Sequence, residues 1–308
     1  MLNSYNVKKI VYGSFVVFVL ISIFSAYFLP IDKTVLTKYS LSVFQYRLLV
    51  TSLLLPLIGI WTCAAYGFVH YKQYALSIRG STQGKGTNTI ANGLGIIALQ
   101  LIVSGGFNTI TSINSVKQAV GGDRGVQIIS TGTAMLFSLV AGLLLYQGAS
   151  QLNSSLAKHS KPKLFSKSLY VLLATSVVFL IGIILSYPSY KPTNSVYKYV
   201  PLSVAIVGIW APSLFVWTFY LLAVKYLHHY QHNVKGKVNR KALGLLARGV
   251  YFILGSSVLI QLIGTLNGVL ANASLTPILV IVYPLIVAIG LGYLFIAEAA
   301  TKLRQVES

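Results

Sequence analysis

Residues 9–33 read K-IVYGSFVVFVLISIFSAYFL-PIDK: Lys9, then twenty uncharged residues from Ile10 to Leu29, then Pro30, Ile31, Asp32 and Lys33. An α-helix needs about 20 apolar residues to cross a bilayer, so this stretch is long enough to span one. It is also longer than the roughly 7–15-residue apolar core of a secretory signal, and no small-x-small site follows it. It is therefore expected to persist as an uncleaved anchor. Its pattern of Tyr12, Pro30 and Lys33 returns as Tyr170, Pro188 and Lys191, each pair 158 positions apart.

Working outward, the remaining chain repeats the same alternation of apolar span and short basic segment. The eight spans expected are Ile10–Leu29, Leu48–Val69, Ile90–Ile113, Val126–Gln147, Leu169–Tyr187, Val200–Val224, Leu245–Leu270 and Leu275–Ala297. Hydrophobic residues make up 55% of the chain and charged residues 9%, against about 25% charged in soluble domains. A soluble fold is excluded, and the fold class expected is an all-α integral membrane protein of about eight transmembrane helices. The formal charge of +20 resides in segments between spans and not on a soluble module. It therefore points to topology and anionic lipid headgroups, with no nucleic acid partner.

Eight spans place both tails and the even-numbered loops on one side. Only Lys33, Lys38, Arg47, Lys117, Arg124, Lys191 and Lys198 fall on the other, leaving 17 of the 24 Lys and Arg on the side of the tails. The positive-inside rule then makes both termini cytoplasmic, and the plasma membrane is the membrane expected.

Residues 1–152 form a first four-helix half, 153–167 a Ser- and Lys-rich cytoplasmic linker, and 168–308 a second half. Beyond the first span, Gly59-Ile60-Trp61 recurs as Gly208-Ile209-Trp210, with Tyr66/Phe215 and Tyr71/Tyr220 following, whereas Gly93–Leu152 set on Gly244–Leu303 shares few identities, no more than apolar sequence gives by chance. Four spans per half would insert both copies in the same orientation, as parallel repeats do.

The third span is the richest of the eight in glycine and polar residues. Ser104-Gly105-Gly106-Phe107-Asn108 is a candidate broken helix with exposed backbone, echoed by Gly255-Ser256-Ser257 in the seventh span. Gln100, Ser104, Asn108, Gln261, Thr265 and Asn267 are the residues expected either to line a solute path or to bond helix to helix. Gly80–Thr87 resembles a phosphate-binding loop but lacks its spacing and preceding strand, and reads as a flexible turn.

Charged and ligating residues are sparse. Asp32, Asp123, Glu298 and Glu307 are the only acids, and Arg248 with Glu298, or Lys302 with Glu298, can form an ion pair near the ends of the last two spans. His228 and His232 share a helical face but lack nearby acidic or thiol ligands, so no metal and no cofactor is expected. Together with Lys225, Lys235, Lys237, Arg240 and Lys241 they form a basic segment suited to anionic lipid. Cys63 is alone and within a span. Paired carboxylates and Ser-His combinations are missing, so no enzyme is expected. Two functions follow: a channel- or carrier-like protein for a neutral or anionic small solute, or an assembly subunit or sensor holding a membrane partner or lipid.

Overall fold

A computed structural model describes residues 42–111, 114–156, 167–186, 201–234, 236–269 and 275–304, together with Gly13, Val16, Val17, Val19, Leu20, Ile23, Phe24 and Tyr27 of the first span. Every regular element among them is helical. In chain order these are α1 (Val43–Ser77), α2 (Thr82–Thr111), α3 (Asn114–Ala119), α4 (Gly122–Ser154), α5 (Lys167–Ser186), α6 (Leu202–Ala205), a π-helical turn (Ile206–Trp210), α7 (Ala211–Asn233), α8 (Lys237–Val269) and α9 (Leu275–Arg304). The Tyr12, Pro30 and Lys33 pattern, with Pro188 and Lys191, lies outside the described residues, as does most of the proposed linker.

Among the described residues, six stretches are long and apolar enough to cross a membrane: Thr82–Phe107, Ile128–Ser154, Lys167–Leu185, Leu202–Asn233, Val238–Thr265 and Tyr283–Leu303. The chain is thus a multi-pass helical membrane protein. Its longest helix, α1, has 35 residues. At 1.5 Å per residue it is about 50 Å long, well beyond the roughly 30 Å of a hydrocarbon core.

Packing closes six of these helices into a ring. The neighbours run α1, α2, α4, α7, α8, α9 and back to α1. Helices α2 and α8, the third and seventh spans, therefore stand opposite one another and do not form a packed pair. The interior is filled by Ile60, Trp61, Leu94, Trp217, Leu246, Val250 and Ile296. Alanines 64, 91, 141, 223, 242, 247 and 299 are fully buried among them. Such small side chains let helix backbones approach closely where lipid offers no hydrophobic drive to associate.

The closest approaches use glycine. A Cβ on Gly148 of α4 would lie 2.7 Å from the Gly86 carbonyl of α2, and one on Gly249 of α8 would lie 2.5 Å from the Gly292 carbonyl of α9. Outside the ring, α5 packs on α8, where Gly182 meets Thr265. It also touches α7 through Phe179 and Trp217, whose rings are 5.5 Å apart. The first span meets α1 where Tyr27 Oη lies 3.1 Å from Thr51 Oγ1.

Two local expectations meet a different outcome. Helix α2 runs unbroken through Ser104-Gly105-Gly106-Phe107-Asn108. Continuous intrahelical bonding satisfies the backbone there, as a membrane interior requires. The glycine-rich stretch after Gly80 is helix from Thr82 onward, so only its first residues form the turn. The irregularity instead falls in the sixth span. Pro212 has no N–H to donate, and the preceding Ile206–Trp210 adopts the wider π turn, with the Ala211 N–H reaching the Ile206 carbonyl. Trp210 Nε1 fixes this turn to α5 by donating to the Ser176 carbonyl at 2.9 Å.

Candidate functional site

Of the polar residues expected to line a path, those with described side chains lie on α2 and α8, on opposite sides of the ring. Gln100 accepts a hydrogen bond at 3.4 Å from Ser138 Oγ, joining α2 to α4. Ser104 is half-buried one turn further along α2. On α8, Thr265 is buried and donates to the Gln261 carbonyl at 2.8 Å, while Gln261 Oε1 is buried with no partner. Asn108 and Asn267 belong to α2 and α8, but their side chains lie outside the described residues, as do those of Lys235 and Lys237.

The charged residues are placed as follows. The Glu298 carboxylate pairs with Lys302, one turn on in α9, and Arg248 is exposed on α8. Lys225 is half-buried on α7, whereas Arg240 and Lys241 are exposed at the start of α8. Arg240 Nε also closes the α7–α8 turn by donating to the Val234 carbonyl at 3.0 Å. His229 Nδ1 lies 2.6 Å from Asn153 Oδ1, linking α7 to α4, and His228 meets Gln231. Among the described residues no three His, Cys, Asp or Glu side chains converge.

A different constellation emerges at the end of the ring that carries the turns between α1 and α2 and between α7 and α8. There the six ring helices enclose a pocket. Its polar lining is Tyr71, Tyr74, Gln83, Thr87, Tyr230 and Asn239, and Ile90, Leu152, Leu243, Leu246 and Leu303 are among its apolar walls. The space open to the centre of a water molecule is about 10 Å³, room for about one water or one group of that size.

Two of its polar atoms are buried without a partner, Tyr71 Oη and Asn239 Oδ1, and Tyr71 as a whole is only 1% exposed. The others are engaged. Gln83 Nε2 donates to Tyr74 Oη at 3.0 Å, Thr87 Oγ1 donates to the Gln83 carbonyl at 2.9 Å, and the Tyr230 hydroxyl pairs with Ser155.

Above the pocket, Lys72 Nζ donates to Asn88 Oδ1 at 2.6 Å and to Asn92 Oδ1 at 2.8 Å. This clamps α1 to α2 with a charge-assisted pair. Sequence reasoning missed the pocket because Tyr71, Gln83 and Asn239 fall in segments read as loops. The one available signal was the extension of helical periodicity past each span's apolar end. No family model, no curated protein and no solved structure matches the chain.

Proposed function

We propose that this protein is a non-catalytic, carrier-like membrane protein for a small solute, with eight spans in the plasma membrane, cytoplasmic termini and two parallel four-span halves. One observation carries the reading: a ring of six helices converges on a pocket in which buried polar atoms have no partner. Unsatisfied buried polar groups are costly, so their presence in a cleft favours a ligand that completes them.

The ring order supports the two-half organisation. Spans two, three and four face spans six, seven and eight, respectively, across the ring. The basic residues favour the same end as the pocket, which the positive-inside rule assigns to the cytoplasm. Trp61, Leu94 and Trp217 fill the ring interior beyond the pocket, so transport requires these helices to part.

The test is solute flux into proteoliposomes, first with the native chain and then with Asn108→Leu. If spans three and seven line the path, Asn108→Leu abolishes flux and leaves the protein folded and inserted. Flux retained in the folded variant removes Asn108 from the path. Flux of no small solute by the native chain defeats the carrier reading.

An assembly role is the second reading, and one observation favours it. Gly59, Gly208 and Gly264 are exposed, and a Cβ on any of them would have no neighbour within 4 Å. That open space admits a helix from another chain. A stoichiometric protein or anionic lipid in native mass spectrometry, with no flux, supports this alternative.

A further inference from the structure

The inward-facing stripes of the ring helices change character at one level. Gly67 of α1 meets Leu94 of α2 and Ile296 of α9 there, and Ile296 also packs on Gly249 of α8. From this level toward the pocket the stripes are buried: Ala64 and Tyr71 on α1, Leu94 and Ile90 on α2, Val250 and Leu246 on α8, Ile296 and Ala300 on α9. In the other direction the same stripes continue at helical spacing and lose that burial. Leu57 lies seven residues from Ala64, Leu101 seven from Leu94, Ser257 seven from Val250 and Ile289 seven from Ile296, and all four are half-buried. Seven residues are two turns, a rise of about 10 Å. On α4 the change falls between Leu145 and Ser138, and on α7 between Ser213 and Ile209. Loss of burial on the inward stripe of all six helices, within about two turns of one level, means that the helices diverge there and the interior of the ring opens.

The open half has a floor. Tyr220 of α7 and Tyr293 of α9 are 6% and 4% exposed, and they interact electrostatically. Helix α8 stands between α7 and α9 in the ring, so this interaction runs through the interior and not along a packed helix pair. Tyr220 is braced from α4, where a Cβ on Gly142 would lie 3.5 Å from its ring. Tyr293 is one turn from Ile296 on the open side. Above this floor the walls are uncharged. Leu57, Leu101, Ile209 and Ile289 are apolar, while Ser257 and Gln261 supply a hydroxyl and an amide.

We propose that the half of the ring away from the pocket is a water-filled vestibule open to the external face, floored by Tyr220 and Tyr293, and that it admits an uncharged solute. An ion would lose hydration against these walls and find no counter-charge in exchange. The external side follows from the orientation in the reading above, and passage beyond the floor rests on the carrier reading; the vestibule itself rests on neither.

The test is labelling of single cysteines in a Cys63→Ser background, with the full chain in nanodiscs and an impermeant cationic methanethiosulfonate as probe. Leu57→Cys, Ser257→Cys and Ile289→Cys should react at least about tenfold faster than Leu136→Cys and Leu294→Cys on the lipid face, because only a hydrated thiol ionises to the reactive thiolate. Rates no faster than those of the lipid-facing controls would overturn the vestibule. Val250→Cys, below the floor, should stay unlabelled, and Tyr220→Ala should expose it while Tyr220→Phe, which keeps the ring, should not. Labelling of Val250→Cys in the native background, or none in either folded Tyr220→Ala or folded Tyr293→Ala, would overturn the floor. An anionic methanethiosulfonate should match the cationic one at Ser257→Cys once each rate is divided by its rate with a free thiol. A strong preference for the anion would overturn the uncharged solute. Labelling in nanodiscs but not from outside intact cells would keep the vestibule and overturn the orientation. A labelled vestibule in a protein that moves no solute in proteoliposomes would keep the vestibule and defeat the carrier.

Discussion

Replacing Gly249 by alanine tests the ring's closure at its tightest point. The added Cβ would lie 2.5 Å from the Gly292 carbonyl oxygen, 2.7 Å from Ile296 Cγ1 and 3.3 Å from the Ile296 nitrogen. Two of these three atoms are backbone, so no rotamer change relieves the contact and α8 must move away from α9. Even a 0.5–1 Å gap forfeits a quarter to a half of each dispersion contact along that interface. Overpacking of this kind costs about 1–3 kcal/mol.

Gly255 on the same helix supplies the control, because a Cβ there has no neighbour within 4 Å. Alanine gains about 1 kcal/mol of helix propensity over glycine at either position. The difference between Gly249→Ala and Gly255→Ala therefore isolates the clash at about 1–3 kcal/mol. Unfolding by sodium dodecyl sulfate in mixed micelles measures it through the buried Trp61 and Trp217, which become exposed. Equal stabilities within about 0.5 kcal/mol would refute the packing of α8 on α9 described above.

Lys72→Met should destabilise the protein by about 1–3 kcal/mol in the same assay, since it strands the Asn88 and Asn92 oxygens at a partly buried site; Lys72→Arg should recover part of the loss. Glu298→Gln should change stability by less than about 0.5 kcal/mol, because its partner Lys302 is one turn away on a solvated helix end. A larger loss would mean that Glu298 also holds a group on another helix, with Arg248 of the adjacent α8 the first to examine.

The helices were legible in the sequence because a span advertises itself by composition: twenty uncharged residues between basic segments admit little else. Their arrangement was not. In a soluble bundle the apolar stripe marks the buried face, but here Leu136, Val178 and Leu294, exposed toward lipid, are as apolar as Leu94 and Val250 inside the ring. Periodicity therefore cannot say which face is inward. Glycine spacing carries that information better: Gly86 with Gly93 on α2 and Gly249 on α8 all face neighbouring helices. It identifies a contact only once the partner helix is known. The expected duplication is hard to read for the same reason, because identities among apolar residues accumulate at several offsets.

The pocket follows a different logic from the polar path the sequence suggested. Polar residues deep in a span attract notice because they are rare there, yet Gln100 and Thr265 are satisfied by a neighbouring helix and by their own backbone. Tyr71, Gln83 and Asn239 attract none, because beyond a span's apolar end such residues are ordinary. What makes them informative is the extra length of the helices, which carries the ring past the apolar spans and seals polar side chains away from water. There a polar group needs a partner as much as it does in lipid. Gln83 finds such a partner in Tyr74 across the turn between α1 and α2, whereas Tyr71 Oη and Asn239 Oδ1, buried at the same end of the ring, find none in the protein and depend on a molecule of about the size of water to complete them.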